Sequence, residues 1–181
     1  MFYTAEKLKC EGCDAEYSLP LGPVHLYTEG DTDLSHENLE SSAAFLPVLR
    51  QRAWCLGCNK PVLAERLPAM QEFMTAAAIL RLPENERPPI DDELLKLTIE
   101  AIGRLFEHLS RRGSRPRCLT CGATELQPFD VQDGVLAPKL IHEACNSEFK
   151  WYGFIGGGVY RVNVRAYSFD GQLVAKSSSV A

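Results

Sequence analysis

The sequence predicts an α+β chain in which two small cysteine-bearing β modules lie on either side of a helical middle. Three observations support this fold class. Four pairs of Cys or His residues occur along the chain, each with two residues between its members. The middle third has the composition and end signals of helices, and the last third has the alternating pattern of strands.

The composition is that of an ordinary globular protein with a modest core. Of the 181 residues, 45% are hydrophobic and 24% are charged, far from the values of a disordered chain. Pieces of about 60 residues bury too little apolar surface to be stable alone, so a structural metal would contribute much to each. We expect modules at 1–66 and 114–176, a helical connector at 67–113 and a flexible tail at 177–181.

The cysteine content has to be interpreted together with the expected compartment. The first residues lack the charged and apolar regions of a signal peptide, and no stretch reaches the roughly 18 apolar residues of a membrane span. We therefore expect a cytoplasmic protein without a membrane partner. Thiols stay reduced in that compartment, so the seven cysteines indicate metal binding or redox chemistry more than disulfide bonds.

Two helices are predicted in the middle of the chain. Residues Ala69 to Leu82 are rich in helix-forming residues and are followed by Pro83. A second helix is bounded by acids at its start and by bases and a glycine at its end, as the helix dipole and capping preferences favour: Asp91, Asp92, Glu93, Arg111, Arg112 and Gly113. Its two adjacent apolar rows predict a helical hairpin that packs the two modules together.

The last third has strand patterns around a glycine-rich turn. Residues Glu148 to Trp151 begin one strand, and residues Tyr160 to Ala166 alternate in polarity along another. The intervening Gly156, Gly157 and Gly158 predict a turn or bulge. A phosphate-binding loop is excluded because no helix start or suitably placed lysine follows the glycines.

The four pairs are typical of tetrahedral Zn²⁺, since two ligands separated by two residues can come from one tight turn. Each second ligand is followed by a residue that tolerates the left-handed conformation such turns need, namely Asp14, Asn59, Gly122 or Asn146. Grouping the pairs in chain order predicts two closed, structural zinc sites. Their ligands are Cys10, Cys13, Cys55 and Cys58 in the first, and Cys118, Cys121, His142 and Cys145 in the second.

The turns and the strands after them resemble those of the zinc-ribbon family, with its rubredoxin-like zinc knuckles. The resemblance covers about half of the chain and implies that each metal pins two turns at one end of a small antiparallel sheet. With this resemblance, the predicted α+β fold consists of two small zinc-ribbon-like antiparallel β modules joined by a helical hairpin. The first module departs from the family in having 41 residues between Cys13 and Cys55, whereas 20 residues separate Cys121 from His142.

The same residue types also occur in redox motifs and in catalytic zinc sites. Cys55-Leu56-Gly57-Cys58 has the spacing of a thioredoxin-type redox motif, but Asn59, Lys60 and Pro61 favour a turn where that motif needs a helix. A catalytic zinc would keep an open position, which four protein ligands leave no room for. We expect no enzyme. His142 is the least typical ligand, and His36 is the substitute if a first-site cysteine does not bind.

The expected function is that of a zinc-stabilised protein-interaction scaffold, such as an adaptor, inhibitor or immunity-type protein. The net charge is −5 and the segment 29–41 is acidic, which suits a basic partner. The alternative is nucleic-acid binding through the C-terminal third. Residues 114–181 contain seven bases and six acids, and aromatic residues lie nearby in the sequence. Its candidate contacts are Arg111, Arg112, Arg115, Arg117, Arg161 and Arg165. A thiol redox protein is the second alternative.

Overall fold

The computed structural model describes residues 4–20, 24–28, 46–86, 92–111, 115–156, 162–169 and 171–179. In this part of the chain twelve strands form three four-stranded sheets, and two α-helices lie between the sixth and seventh strands. The strands are β1 Thr4–Cys10, β2 Glu16–Pro20, β3 Val24–Thr28, β4 Leu46–Pro47, β5 Arg50–Cys55, β6 Lys60–Glu65, β7 Leu126–Gln132, β8 Val135–Ala137, β9 Ile141–His142, β10 Ser147–Gly156, β11 Val162–Ser168 and β12 Leu173–Ser179. The helices are α1 Met70–Arg81 and α2 Asp92–Arg111.

Every sheet joins strands from the first third of the chain to strands from the last third. The strand orders are β2-β1-β10-β9 in sheet 1, β12-β11-β3-β4 in sheet 2 and β6-β5-β7-β8 in sheet 3. The joining pairs β1–β10 and β5–β7 are antiparallel, whereas β3–β11 is parallel. The chain consequently divides into a β unit, Met1–Arg66 with Pro116–Ala181, and a helical unit, Leu67–Arg115.

This architecture corrects the predicted fold class. An α+β fold of two zinc-ribbon-like modules joined by a helical hairpin is wrong, because the described chain is mostly β and has three sheets. The separate modules 1–66 and 114–176 are also wrong, because backbone hydrogen bonds between their strands merge them into one unit. The sequence pattern marks strands but carries no information about which distant strand each one pairs with.

The predicted flexible tail is partly a strand. Ser177, Ser178 and Ser179 pair with residues 162–164 of β11, so only the last two residues of the segment 177–181 lie outside the described part. The acidic segment 29–41 lies outside it altogether. The alternating pattern that predicted a strand up to Ala166 is confirmed by β11 for residues 162–166.

The helical unit contains both helices within two residues of the predicted ends. The backbone N–H of Ala69 donates to the Glu72 carboxylate at 2.9 Å, which satisfies one of the free donors at the start of α1. Phe73 of α1 meets Phe106 of α2 edge to face, with ring centroids 5.4 Å apart. Within the described residues, neither helix combines the length and apolar character that a bilayer span would need.

The main core of the β unit lies between sheet 1 and sheet 3. Alternate residues of β1 and β10 face alternate residues of β5 and β7, as two-residue strand periodicity requires. The buried members of this cluster are Leu8, Cys10, Trp54, Phe129, Leu136, Leu140 and Phe149. Trp54 and Phe149 lie 5.1 Å apart between ring centroids, and Tyr17 meets both rings edge to face.

A charged pair crosses this core and ties sheet 1 to sheet 3. The carboxylate of Glu6 on β1 is fully buried, and Arg52 on β5 donates to both of its oxygens, at 2.7 and 2.5 Å. Arg52 also donates to Asp130 on β7 at 2.9 Å. The hydrogen bonds that Arg52 donates to Glu6 raise the pKa of the Arg52 guanidinium, so Arg52 stays charged. The two hydrogen bonds of such a bidentate pair form together only when the two sheets are aligned in one way.

We expect Glu6→Gln to lower the free energy of unfolding by about 3 kcal/mol, because the substitution removes the buried charge partner of Arg52 and leaves it only the exposed carboxylate of Asp130. Urea unfolding of the zinc-loaded protein measures the loss. Glu16→Gln is the matched control, since Glu16 pairs with Lys7 at the surface of the same sheet and such pairs contribute less than about 1 kcal/mol. Equal losses in the two variants would contradict the assigned role of Glu6.

Candidate metal centres

The outer site consists of Cys10, Cys13, His142 and Cys145. Cys10 ends β1 and Cys13 lies in the turn to β2, while His142 ends β9 and Cys145 lies in the turn to β10. The two turns meet because β1 pairs with β10, with Cys10 opposite Phe149. Cys10 Sγ lies 3.2 Å from Cys145 Sγ, and His142 Nδ1 lies 3.2 Å from Cys13 Sγ and 3.3 Å from Cys145 Sγ.

The inner site consists of Cys55, Cys58, Cys118 and Cys121. Cys55 ends β5, and Cys58 lies in the turn to β6. The turn that carries Cys118 and Cys121 precedes β7, and Cys118 forms an isolated bridge with Ala64 of β6. Cys55 Sγ lies 3.6 Å from Cys121 Sγ, and Cys58 Sγ lies 3.8 Å from Cys118 Sγ.

The structure therefore brings all eight predicted ligands together, but in a different pairing. The predicted sets combined Cys10 and Cys13 with Cys55 and Cys58, and Cys118 and Cys121 with His142 and Cys145. In the structure the first turn pairs with the fourth, and the second with the third. The inner site is thus nested within the outer one along the chain. The reason is strand pairing, because β1 hydrogen-bonds to β10 and β5 to β7.

The geometry of both sites fits one tetrahedral metal ion each. In either site the four ligand atoms lie within 4.8 Å of one another. Zn–S bonds of about 2.3 Å at tetrahedral angles put two sulfurs about 3.8 Å apart, close to the two inner-site distances. The sulfurs are too far apart for disulfides, whose S–S bond is about 2.05 Å. A Cys₄ set and a Cys₃His set are both donor sets that suit Zn²⁺.

Backbone hydrogen bonds shape the turns for metal binding. The N–H groups of Cys58 and Thr120 donate to the sulfurs of Cys55 and Cys118, at 3.4 and 3.3 Å. Such bonds favour the thiolate form that binds metal. The left-handed conformation expected after the second ligand occurs at Asn59, Gly122 and Asn146; the fourth candidate, Asp14, is not among the described residues with positive φ.

Two glycines allow the turns of each site to approach each other. A Cβ on Gly12 would lie 2.0 Å from Ser147 Oγ and 2.6 Å from Ser147 Cβ. A Cβ on Gly57 would lie 3.0 Å from Ala123 Cβ. Ser147 and Ala123 each lie two residues beyond the last ligand of the opposing turn, so the two sites share this feature. The role of these glycines was not predicted, although both N-terminal turns have the pattern Cys-x-Gly-Cys.

The thiols of the two sites differ in acidity. The hydrogen bond with Cys10 lowers the pKa of Cys145 to about 6, with a further contribution from His142. Burial raises the pKa of the Cys58 thiol, and its neighbouring thiols add to this effect. The crowded thiols of one site cannot all ionise without a cation between them. A divalent metal resolves this by displacing the protons, so metal binding is coupled to proton release.

The second turn of the inner site is attached to sheet 2. Tyr167 Oη donates to the carbonyl of Leu119 at 2.7 Å, and Arg165 donates to the same oxygen at 3.3 Å. Just before the turn, the N–H of Arg117 donates to the buried Glu65 carboxylate at 3.0 Å, and that carboxylate also accepts Tyr27 Oη at 2.7 Å. The metal turn is therefore held from both sides by buried polar contacts.

The six candidate arginines are only partly described. Arg117 and Arg165 lie beside the inner site, and both side chains are half-buried. Arg111 ends α2, and Arg115 is exposed; both belong to the helical unit. The remaining two arginines, like His36, lie outside the described residues: Arg112 and Arg161. A common arginine face therefore stays a prediction.

The surroundings of Cys55 and Cys58 differ from those of a thioredoxin-type motif. The two cysteines flank a turn between β5 and β6, whereas a redox motif of that type needs a helix opening at its first cysteine. Comparison of the chain with protein-family models, with curated proteins and with solved structures finds no match. The function is therefore argued from the two metal centres and their surroundings.

The nested pairing predicts the zinc content of two double variants. Cys10→Ser with Cys145→Ser damages only the outer site, so native mass spectrometry should detect one bound zinc. Cys10→Ser with Cys55→Ser damages both sites and should leave none, because three ligands hold Zn²⁺ much more weakly than four. The sequential pairing requires the opposite result, with no zinc in the first variant and one in the second.

The close approach at Gly12 predicts that Gly12→Ala weakens zinc binding at the outer site. Rotation of the serine side chain cannot relieve the contact with Ser147 Cβ, so the turns must separate, at a cost of about 1–3 kcal/mol. Competition with a chromophoric chelator measures the affinity. Gly122→Asn is the control, since a Cβ there has no neighbour within 4 Å and asparagine tolerates positive φ. Unchanged outer-site affinity in Gly12→Ala would show that the turns are not tightly apposed.

Proposed function

We propose that this protein is a non-catalytic interaction scaffold whose β unit is held together by two structural Zn²⁺ ions. The observation that carries the proposal is the closed donor set of each site. Two turns supply four protein ligands, and a tetrahedral ion with four protein ligands keeps no position for water or substrate. The ion's contribution is then folding free energy, because the unfolded chain does not preform either site.

The position of the ligands supports a structural role. Cys10, Cys55 and Cys118 are buried in hydrophobic clusters, and the His142 ring packs against Phe149 with centroids 5.1 Å apart. Each ion would connect an N-terminal strand hairpin to strands from the C-terminal third of the chain. Zinc loss would therefore separate the elements that build sheet 1 and sheet 3, and it would alter any surface that depends on their alignment.

The partner proposed for this scaffold is a protein with a basic surface. The chain carries 24 acidic against 19 basic residues, which favours association with positive partners and disfavours phosphate backbones. Large apolar side chains are exposed on three strands of the last third: Val135 of β8, Ile141 of β9 and Tyr152 of β10, at 61%, 47% and 60%. Aromatic and aliphatic side chains with exposed surface are the usual anchors of protein interfaces.

Nucleic-acid binding is the second candidate, and one observation favours it. Arg117 and Arg165 both lie beside the second turn of the inner site, within the segment 114–181, in which seven bases outnumber six acids. Binding of this kind would be salt-sensitive, because it would rest on neutralising phosphates. Arg115→Glu with Arg117→Glu would then abolish the association.

The test is native mass spectrometry of the tagged protein isolated from cells that produce it naturally, before and after zinc removal with a chelator. We expect two zinc ions and a co-purifying protein of defined mass that leaves when the zinc is removed. The variant Cys10→Ser with Cys145→Ser, which lacks the outer site, should lose this partner. A nuclease-sensitive mass in place of a protein would favour the second candidate, and a protein retained by the zinc-free chain would contradict the scaffold proposal.

A further inference from the structure

A small cavity lies where the three sheets of the β unit meet the second turn of the inner site. Its volume is about 170 Å³. Ser18 and Leu19 of β2 line it from sheet 1, and residues 60–63 of β6 line it from sheet 3. Sheet 2 contributes His25 and Arg165, and the metal turn contributes Leu119 and Thr120. The polar lining thus combines two hydroxyls, an imidazole and two cations.

The two cations of this cavity make no carboxylate contact within the described part of the chain. The Lys60 side chain is exposed and forms none of the ion pairs there. Arg165 is half-buried, and its hydrogen bond goes to the carbonyl of Leu119. Lys176 of β12 and His25 of β3 are the register partners of Arg165 on its two sides, so sheet 2 carries a row of three basic residues here. Lys60, Arg165 and Lys176 thus place three positive charges near this cavity, in a chain with a net charge of −5.

His25 adds a buried nitrogen without a partner. The residue is 5% exposed, and its Nδ1 lies 3.0 Å from Tyr167 Oη. The Tyr167 hydroxyl already donates its proton to Leu119, so its oxygen accepts from Nδ1–H. Nε2 therefore carries the lone pair in the neutral ring, and it has no hydrogen-bond partner within the described residues. Buried polar atoms of this kind are rare and indicate an absent ligand or water.

We propose that this cavity binds a small oxyanion, with a phosphate group as the best fit. Its oxygens would lie between Lys60 and Arg165 and would accept from Thr120 Oγ1 and Ser18 Oγ. His25 would take up one proton from solvent at Nε2 and donate it to the anion. The inference concerns a site separate from both metal centres and does not depend on the proposed protein partner.

The charges around His25 agree with this assignment. Burial lowers the pKa of His25 to about 3, and the positive charges of Arg50 and Arg165 add to this effect. The titratable and charged groups described around the ring are Arg50 of β5, Lys60 of β6, and Arg165 and Tyr167 of β11. The buried carboxylate of Glu65 on β6 interacts electrostatically with Tyr167 and accepts from Tyr27 Oη and the N–H of Arg117. An oxyanion would oppose the repulsion from the arginines and supply the acceptor that a protonated Nε2 needs.

Two sources could supply the phosphate group. One is a free ion or a phosphorylated small molecule, which the small volume of the cavity favours. The other is a phosphate of a nucleic-acid backbone, approached through the exposed side chain of Lys60. The chemistry of recognition is the same for both, because cationic and hydroxyl donors surround a tetrahedral anion.

The test is a titration of the zinc-loaded full chain with inorganic phosphate at constant ionic strength, followed by NMR of the His25 ring and the Arg165 side chain. We expect saturable shifts with a dissociation constant on the order of 1 mM. Lys60→Ala should weaken binding about fivefold, the loss expected for one charge contact near water. Lys139→Ala is the control, because Lys139 pairs with Glu148 and is not part of the cavity lining; its affinity should equal that of the wild type.

Shifts that do not saturate, or equal affinities in Lys60→Ala and the wild type, would overturn the proposal. The zinc content of each variant is measured first, so that a folding defect is not taken for lost binding. Repeating the titration with a short single-stranded oligonucleotide present distinguishes the sources. A lower apparent phosphate affinity identifies the nucleic-acid backbone as a competitor for the cavity, and an unchanged affinity identifies a free phosphate or phosphate ester.

Discussion

Backbone pairing between strands from the two ends of the chain is the constraint on which the β unit depends. Each sheet is closed by one such pair, and the pairs β1–β10 and β5–β7 also bring the ligand turns together. The candidate metal site at the end of each pair joins strands that are more than 60 residues apart in sequence. Because the cost of closing a loop grows only slowly with its length, one ion can stabilise even the widely separated outer site.

Buried polar contacts then determine how the three sheets are arranged. Glu6 and Arg52 connect sheet 1 to sheet 3, and Tyr27 and Glu65 connect sheet 2 to sheet 3. Tyr167 connects sheet 2 to the metal turn. Each contact satisfies groups that would be costly to bury alone, so an alternative alignment of the sheets would leave several of them without partners. The apolar core alone would discriminate less between alignments.

The metal centres and the cavity share elements although their chemistry differs. Leu119 and Thr120 lie within the Cys118–Cys121 turn and also line the cavity, so an ion in the inner site would position part of the cavity wall. The closed donor sets suit a structural role, whereas the proposed oxyanion site lies at the junction of the sheets, where His25 Nε2 has no hydrogen-bond partner among the described residues. A scaffold of this kind separates the groups that maintain the fold from those that are available to a ligand.

The sequence by itself determined the features that depend on local geometry. The spacing within each pair identified all eight residues of the two candidate metal sites, and residue types predicted the left-handed turns at Asn59, Gly122 and Asn146. Helix formers and capping signals placed α1 and α2 within two residues of their ends. These properties arise from contacts between residues a few positions apart, which the order of residue types records directly.

Only the tertiary structure decided which turns come together in one candidate metal site. The four pairs have identical spacing, so the spacing does not indicate which pairs combine. The nested pairing, the merging of the two expected modules, and the strand at 177–179 all follow from hydrogen bonds between distant segments. The need for Gly12 likewise arises from Ser147, a residue 135 positions later. Such contacts depend on how many strands pair and are buried together. The free energy of that arrangement depends on the whole chain, so it cannot be read from any single stretch of sequence.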